Sequence, residues 1–276
     1  MNSAQSSLRV QGIPTSLRSN DPFGKYKREE PHEVRQLDAT GQSYQEQVKK
    51  AREMLRSMKP EAVKQVIEFH KGLNLFQALA LAKREGSIIV PNDIHDRILT
   101  KKEDEQYFKE NYPVRTGTFI IYEALDKKFG STVVFSWEDN KVKYFISFEV
   151  PKQFQGKTNC VLVVEHPDFE IVGIDDNRYE IRIKDEHINL IRGFRGEDGW
   201  YKQHTETGIP QGRKVKESSD ARYLRRLDDS YLGHVARGDV FNYDYRGDVS
   251  LDDRPSDRFG VALMPLNITP EKSDLK

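Results

Sequence analysis

The side chains that could do chemistry are seven histidines, one cysteine and a C-terminal stretch dense in aspartate, arginine and tyrosine. The histidines His32, His70, His95, His166, His187, His204 and His234 include no pair four residues apart on a predicted helix, so no helix presents two imidazoles to one metal ion. No HExxH, P-loop, GxGxxG or GxSxG pattern occurs. A single cysteine, Cys160, excludes an internal disulfide framework and any Cys-rich zinc or iron–sulfur site. His166-Pro167-Asp168 reads as a turn at a strand end, and His70 as a structural histidine. No catalytic residue, metal ligand or cofactor is expected.

The basic residues Arg213, Lys214, Lys216, Arg222, Arg225 and Arg226 are interleaved with Glu217, Asp220, Asp228 and Asp229. They read as a solvated, ion-paired face rather than a phosphate track. Over the whole chain 44 Lys+Arg balance 44 Asp+Glu. Without a basic excess, nucleic acid is not an expected partner. The mean hydropathy is -0.75. No run approaches the roughly 18 apolar residues of a membrane-spanning helix, so membrane insertion is not expected. Met1–Ser7 lacks the basic and apolar regions of a signal peptide; localisation stays open between cytoplasm, virus particle and another export route.

A gap in residue types is more informative. Between Glu217 and Met264 lie 46 residues without Lys, Glu, Gln, Met or Trp, types that make up 64 of the chain's 276 residues. A proportional share would be about eleven. The stretch is rich in charge but uses Arg and Asp alone, and solvation gives no reason to refuse Lys and Glu. A genetic cause fits: an AAC codon whose two adenines become any base never encodes Lys, Glu, Gln, Met, Trp or a stop. Asp239–Tyr245 and Asp248–Asp253 lie within that alphabet.

The elements that must position this stretch follow from period and punctuation. Residues 1–43, broken by Pro14, Pro22, Pro31, Gly12, Gly24 and Gly41, read as a flexible arm. Val48, Ala51, Met54, Leu55 and Met58 share a helical face, and Pro60 opens a second helix expected to run to Gly72. Asn74 caps a helix ending at Gly86, Ser87–Val90 is a buried strand, and Asn92 or Asp93 caps the next helix. From Pro113 to Phe194 the period is two. Strands are expected at 118–123, 132–137, 141–150, 160–165, 169–174, 179–184 and 188–194, together an antiparallel unit. After Gly196, loops pinned by Trp200 and Tyr201 lead to a last strand at Val261–Met264.

Two blocks then suggest a family. Leu73-Asn74-Leu75-Phe76-Gln77-Ala78-Leu79-Ala80-Leu81-Ala82-Lys83-Arg84-Glu85-Gly86, with Ser87–Val90 and the helix from Pro91, resembles the helix–strand–helix opening of C-type lectin folds. Arg237-Gly238, Arg246, Arg254-Pro255-Ser256, Arg258 and Gly260-Val261-Ala262-Leu263 resemble the closing strands of the formylglycine-generating-enzyme-like branch. That branch includes the variable proteins of diversity-generating retroelements, whose C-terminal codons are rewritten at template adenines. The resemblance, carried by these two separated blocks, extends over about half the chain. The oxidase activity of the branch does not carry over, because its cysteines are absent. Nor does calcium-dependent sugar binding, whose Glu-Pro-Asn and Trp-Asn-Asp motifs are missing.

The resemblance implies an α+β chain with a C-type-lectin-like domain built from 44–112 and 195–276, with 113–194 as an antiparallel β insertion. It implies non-catalytic binding of a macromolecular ligand, a protein, on a variable face at about 230–253. The site residues expected there are Ser230, Tyr231, His234, Asp239, Phe241, Asn242, Tyr243, Asp244, Tyr245, Asp248, Ser250, Asp252 and Asp253. Tyrosine among short polar side chains suits such a face, giving contact area at low rotameric cost. Two alternatives stay open: an enzyme or glycan-binding domain using His204, Asp198 or His166 at a loop cleft, and a virion or structural subunit assembled through its N-terminal arm.

Overall fold

The computed structural model describes residues 43–98, 114–194, 198–216, 221–225, 230–238, 248–250 and 259–267. The expected arm, except Ser43, lies outside them. The first helix, α1 (Tyr44–Ser57), is opened by a reciprocal cap in which the Ser43 hydroxyl accepts from Glu46 N–H and Ser43 N–H donates to the Glu46 carboxylate at 2.8 Å. Val48, Ala51 and Leu55 form its buried stripe. A second helix, α2 (Pro60–Val66), begins on proline as expected but stops six residues short of Gly72. Glu68–Leu73 is instead a strand, β1, and His70 sits in it rather than on a helix.

The next segment matches its sequence pattern closely. Asn74 and Gln77 form a second reciprocal cap on α3 (Leu75–Arg84), which ends at Gly86 with φ +57. Strand β2 (Ser87–Ile89) follows, then α4 (Asn92–Ile98). Asn92 begins that helix rather than capping it, and its N–H donates to Thr118 Oγ1 at 2.9 Å.

Seven further strands fill 114–194: β3 (Val114–Tyr122), β4 (Thr132–Asp139), β5 (Val142–Glu149), β6 (Cys160–Glu165), β7 (Phe169–Gly173), β8 (Arg178–Ile183) and β9 (Asn189–Arg192). They do not form one inserted antiparallel unit. β4, β5, β8 and β7 make a four-stranded sheet in that order, and its central β5–β8 pair is parallel. β3, β6 and β9 belong to the large sheet. All nine residues of β3 are buried, as befits a strand covered on both faces. Period two reveals strands but not which neighbour each one takes.

The C-terminal strands complete the large sheet: β10 (Gly199–Gln203), β11 (Pro210–Gln211), β12 (Ala221–Arg225), β13 (Tyr231–Gly238), β14 (Asp248–Ser250) and β15 (Phe259–Pro265). Its main path runs β1-β15-β3-β13-β14-β12-β10-β11, with β2 on β15, β6 on β3 and β9 on β6. β15 pairs antiparallel with β1 and β2 and parallel with β3, so the chain's last described strand is fastened to its first.

Two cores lie on this sheet. Val48, Ala51, Leu55 and Met58 of the α1 region pack with Val63, Ile88, Val90, Ile94, Ile98, Val114, Ala262 and Met264. Ala78 and Ala82 of α3 pack on Ile89, Val261 and Leu263. Aromatics join the two sheets: Phe119 meets Phe169 at 4.7 Å, and Tyr231 meets Phe135 edge-on at 5.2 Å. β3 approaches the end of β2 so closely that a Cβ at Gly117 would lie 2.1 Å from the Ile89 carbonyl oxygen.

Candidate binding face

β13 and β14 form an antiparallel hairpin closed by the pairs Gly238–Asp248, Arg237–Val249 and Ala236–Ser250. On its outer sides β13 pairs with β3, and β14 runs parallel beside β12. Arg237 pairs with Val114, and Val114 also pairs with Gly260 of β15. In sequence, the connections 239–247 and 251–258 lie between β13 and β14 and between β14 and β15. Asp239, Phe241, Asn242, Tyr243, Asp244, Tyr245, Asp252 and Asp253 lie in those connections, outside the described residues.

The other expected site residues separate. β13 is about 25 Å long at the usual strand rise, so Ser230 and Tyr231 stand at the opposite end of the sheet from Gly238 and Asp248. Tyr231 does not belong to a binding surface. Its side chain is fully buried, 5.7 Å from the Tyr122 ring and edge-on to Phe135. Its hydroxyl lies over Gly233, where an added Cβ would come within clashing distance. Leu232 and Val235 are buried as well. The Ser230 hydroxyl hydrogen-bonds the Glu123 carboxylate. His234 is placed opposite Phe119 by strand register, and Asp248 and Ser250 opposite Gly238 and Ala236.

Sequence reading missed an aromatic pair beside this hairpin. Trp200 of β10 and Tyr223 of β12 are directly opposed partners, both half-buried, with ring centroids 5.6 Å apart at 77°. On the other face of these strands Tyr201, Arg222 and Leu224 are buried. Leu224 pairs with Val249, so Tyr223 and Asp248 each stand one residue before a paired position. Period two in Gly199–Gln203 was the available signal, masked by the glycines around it.

The basic cluster also departs from expectation. Arg222 is not solvated: it is buried, with Nε 2.9 Å from Asp96 Oδ1 and Nη1 donating to the Ala221 carbonyl at 2.8 Å. Next to it, Asn92 Nδ2 donates to the Thr207 carbonyl at 3.2 Å, tying the loop before β11 to α4.

A second polar cluster, likewise unforeseen, docks α1. Arg52 Nη1 meets Asp168 Oδ2 at 2.8 Å, and its Nη2 donates to the Glu165 and His166 carbonyls. Arg56 bridges Asp93 Oδ2 at 3.0 Å and Glu165 Oε1 at 2.9 Å. Burial pushes the Glu165 and Asp93 carboxyls above their ordinary range, against the pull of the arginines. His166 is enclosed, accepts from Ile89 N–H at Nδ1, and burial pulls its imidazole down to about 3. It faces no cleft. His204 meets Thr207 instead, and Asp198 is exposed. Among the described residues no three His, Cys, Asp or Glu side chains converge as a metal site. No described helix is long and apolar enough to cross a membrane.

No protein-family model, curated protein or solved structure matches this chain.

Proposed function

We propose that this chain is a non-catalytic binding protein with a C-type-lectin-like domain, the kind of variable protein that a retroelement diversifies. Its binding face is borne on the Gly238–Asp248 end of the β13–β14 hairpin, and its ligand is another macromolecule, a protein. One observation carries the reading. The two blocks that resemble the family, 73–100 and 237–263, are separated by more than a hundred residues yet meet in one sheet through β15, β1 and β2. The helix–strand–helix order of the first block and the strand that closes the second agree with the resemblance. The burial of Tyr231, Leu232 and Val235 supports a fixed scaffold strand within the restricted-alphabet stretch, leading into its dense part at 239–253.

The test is genetic. DNA downstream of this gene is sequenced for a near-copy of codons 230–262 that differs only where it carries adenine, beside a reverse transcriptase gene. Such a copy names the varied residues directly. A gene neighbourhood without one overturns diversification and leaves the missing Lys and Glu as an accident of composition.

A further inference from the structure

We infer that two copies of this chain associate edge to edge through β4, joining their small sheets into one continuous sheet. β4 ends its sheet, and its backbone supplies the interface. The turn after it has two residues, Asn140 and Lys141, both left-handed at φ 49 and 67, and closes on the pair Asp139–Val142. A closing pair of that kind is hydrogen-bonded, and bonded pairs alternate along an antiparallel ladder. Val133, Phe135, Trp137 and Asp139 therefore bond to β5, while Thr132, Val134, Ser136 and Glu138 turn their N–H and C=O groups to the edge. Those groups have no partner among the described residues.

The other strands at sheet edges are blunted. β1 carries Lys71 and a register break beside Gly72, and β2 has three residues with Ile89 N–H taken by His166. β7 has five residues and ends on Gly173, β9 has four, and β11 is only Pro210 and Gln211. Such devices keep edges from pairing. β4 has eight residues in unbroken register without Pro, Gly or Lys, and its Val134 is 48% exposed.

Charge selects a second copy. Glu138 and Asp139 lie at the end of β4, and Lys127 and Lys128 shortly precede its start; all are exposed except Asp139, which is half-buried. None of the four has an ion pair among the described residues, and Lys143, opposite Glu138, lies over the Phe145 ring instead. In an antiparallel pairing about a two-fold axis through Val134, Thr132 faces Ser136 and the two Val134 side chains meet. The acidic end of each strand then runs beside residues 128–130 of the other, and both ends are matched at once. A parallel neighbour would set acid against acid.

The experiment measures the mass of the full chain by sedimentation equilibrium over a concentration series. A species of twice 32.0 kDa is expected. Val134→Lys sets two ammonium groups face to face and should raise the dissociation constant at least about tenfold, with the melting transition of the chain unchanged. Ile174→Lys, exposed beyond the far edge strand β7, leaves association unchanged. Chains carrying Glu138→Lys with Asp139→Lys, or Lys127→Glu with Lys128→Glu, should each associate poorly alone and pair with one another when mixed, because the mixed dimer restores both charge matches. If Val134→Lys does not fold, the mixing of the charge variants decides. A monomer at every concentration overturns the inference. So does a dimer that Val134→Lys leaves intact, and so does failure of the two charge variants to associate on mixing.

Discussion

Gly117 is the position where one added carbon would do most harm. Its would-be Cβ lies 2.1 Å from the Ile89 carbonyl oxygen, and that oxygen is backbone. Gly117 N–H donates to the Val90 carbonyl at 2.7 Å, and Gly117 C=O accepts from His166 N–H at 2.7 Å, so neither chain can withdraw without breaking a hydrogen bond. Gly117→Ala is expected to cost about 3 kcal/mol or more, read as a lower urea midpoint at an unchanged slope. His166, next to it, sets a pH dependence. Its folded value is depressed to about 3, so the native protein keeps it neutral while the unfolded chain takes a proton below about 6.5. Stability from this residue is complete above that value and is lost as pH falls toward 3. Between pH 7 and pH 5 the loss is about 2 kcal/mol. His166→Asn retains an acceptor for Ile89 N–H but cannot titrate. The variant should lose less stability than the native chain over that interval, the carboxyl contributions of Asp93 and Glu165 being common to both. Equal losses would mean that the imidazole is not enclosed.

Among the elements, α1 is held in two ways. Its apolar stripe joins the core, and its opposite ends of charge are matched by Asp93, Glu165 and Asp168 from α4 and the β6–β7 turn. Arg52→Leu keeps most of the stem but removes the guanidinium from Asp168 and from the Glu165 and His166 carbonyls, leaving Asp168 with His187 Nδ1 at 3.2 Å and Glu165 C=O with Asp168 N–H. Removing one partner of a fully buried pair costs about 3–5 kcal/mol; this pair is part-buried and Asp168 keeps His187, so a smaller loss of about 1–3 kcal/mol is expected. Faster amide exchange in α1, before the rest of the chain, is the expected signature, and uniform exchange would show that α1 is not an independently pinned element. Both arginines lie four residues apart on one helix, a spacing visible in the sequence. Their partners sit 37 to 116 residues away, which no local pattern reveals. The cap of α3 was legible for the opposite reason: Asn74 completes its hydrogen bonds with Gln77 within three residues, whereas Ser43, which closes the same kind of cap with Glu46, reads in the sequence as the end of the arm. α2 failed as a long helix because β1 answers to β15, almost two hundred residues later.

For the whole molecule, the pairing of β15 with β1, β2 and β3 means that the chain cannot close without its C-terminal strand. Ending the chain at Arg258 would remove the buried Val261, Ala262, Leu263 and Met264 and strip three strands of a partner. Such a truncation should lose near-ultraviolet circular dichroism and cooperative melting together; a cooperative melt would refute this account of closure. The sequence by itself determined most strands, the first helix, and α3 with its Asn74 cap. Each depends on residue periods and on hydrogen bonds that reach only a few residues. It also determined the restricted alphabet of 218–263, which is a property of composition alone. Only the tertiary structure decided that β3 is a central strand, that Tyr231 is core and that Arg222 is buried. It alone set Trp200 and Tyr223 beside the hairpin. The reason is physical: a side chain's environment is fixed by the strand or helix that covers it, and in this sheet the covering element is seldom a neighbour in sequence.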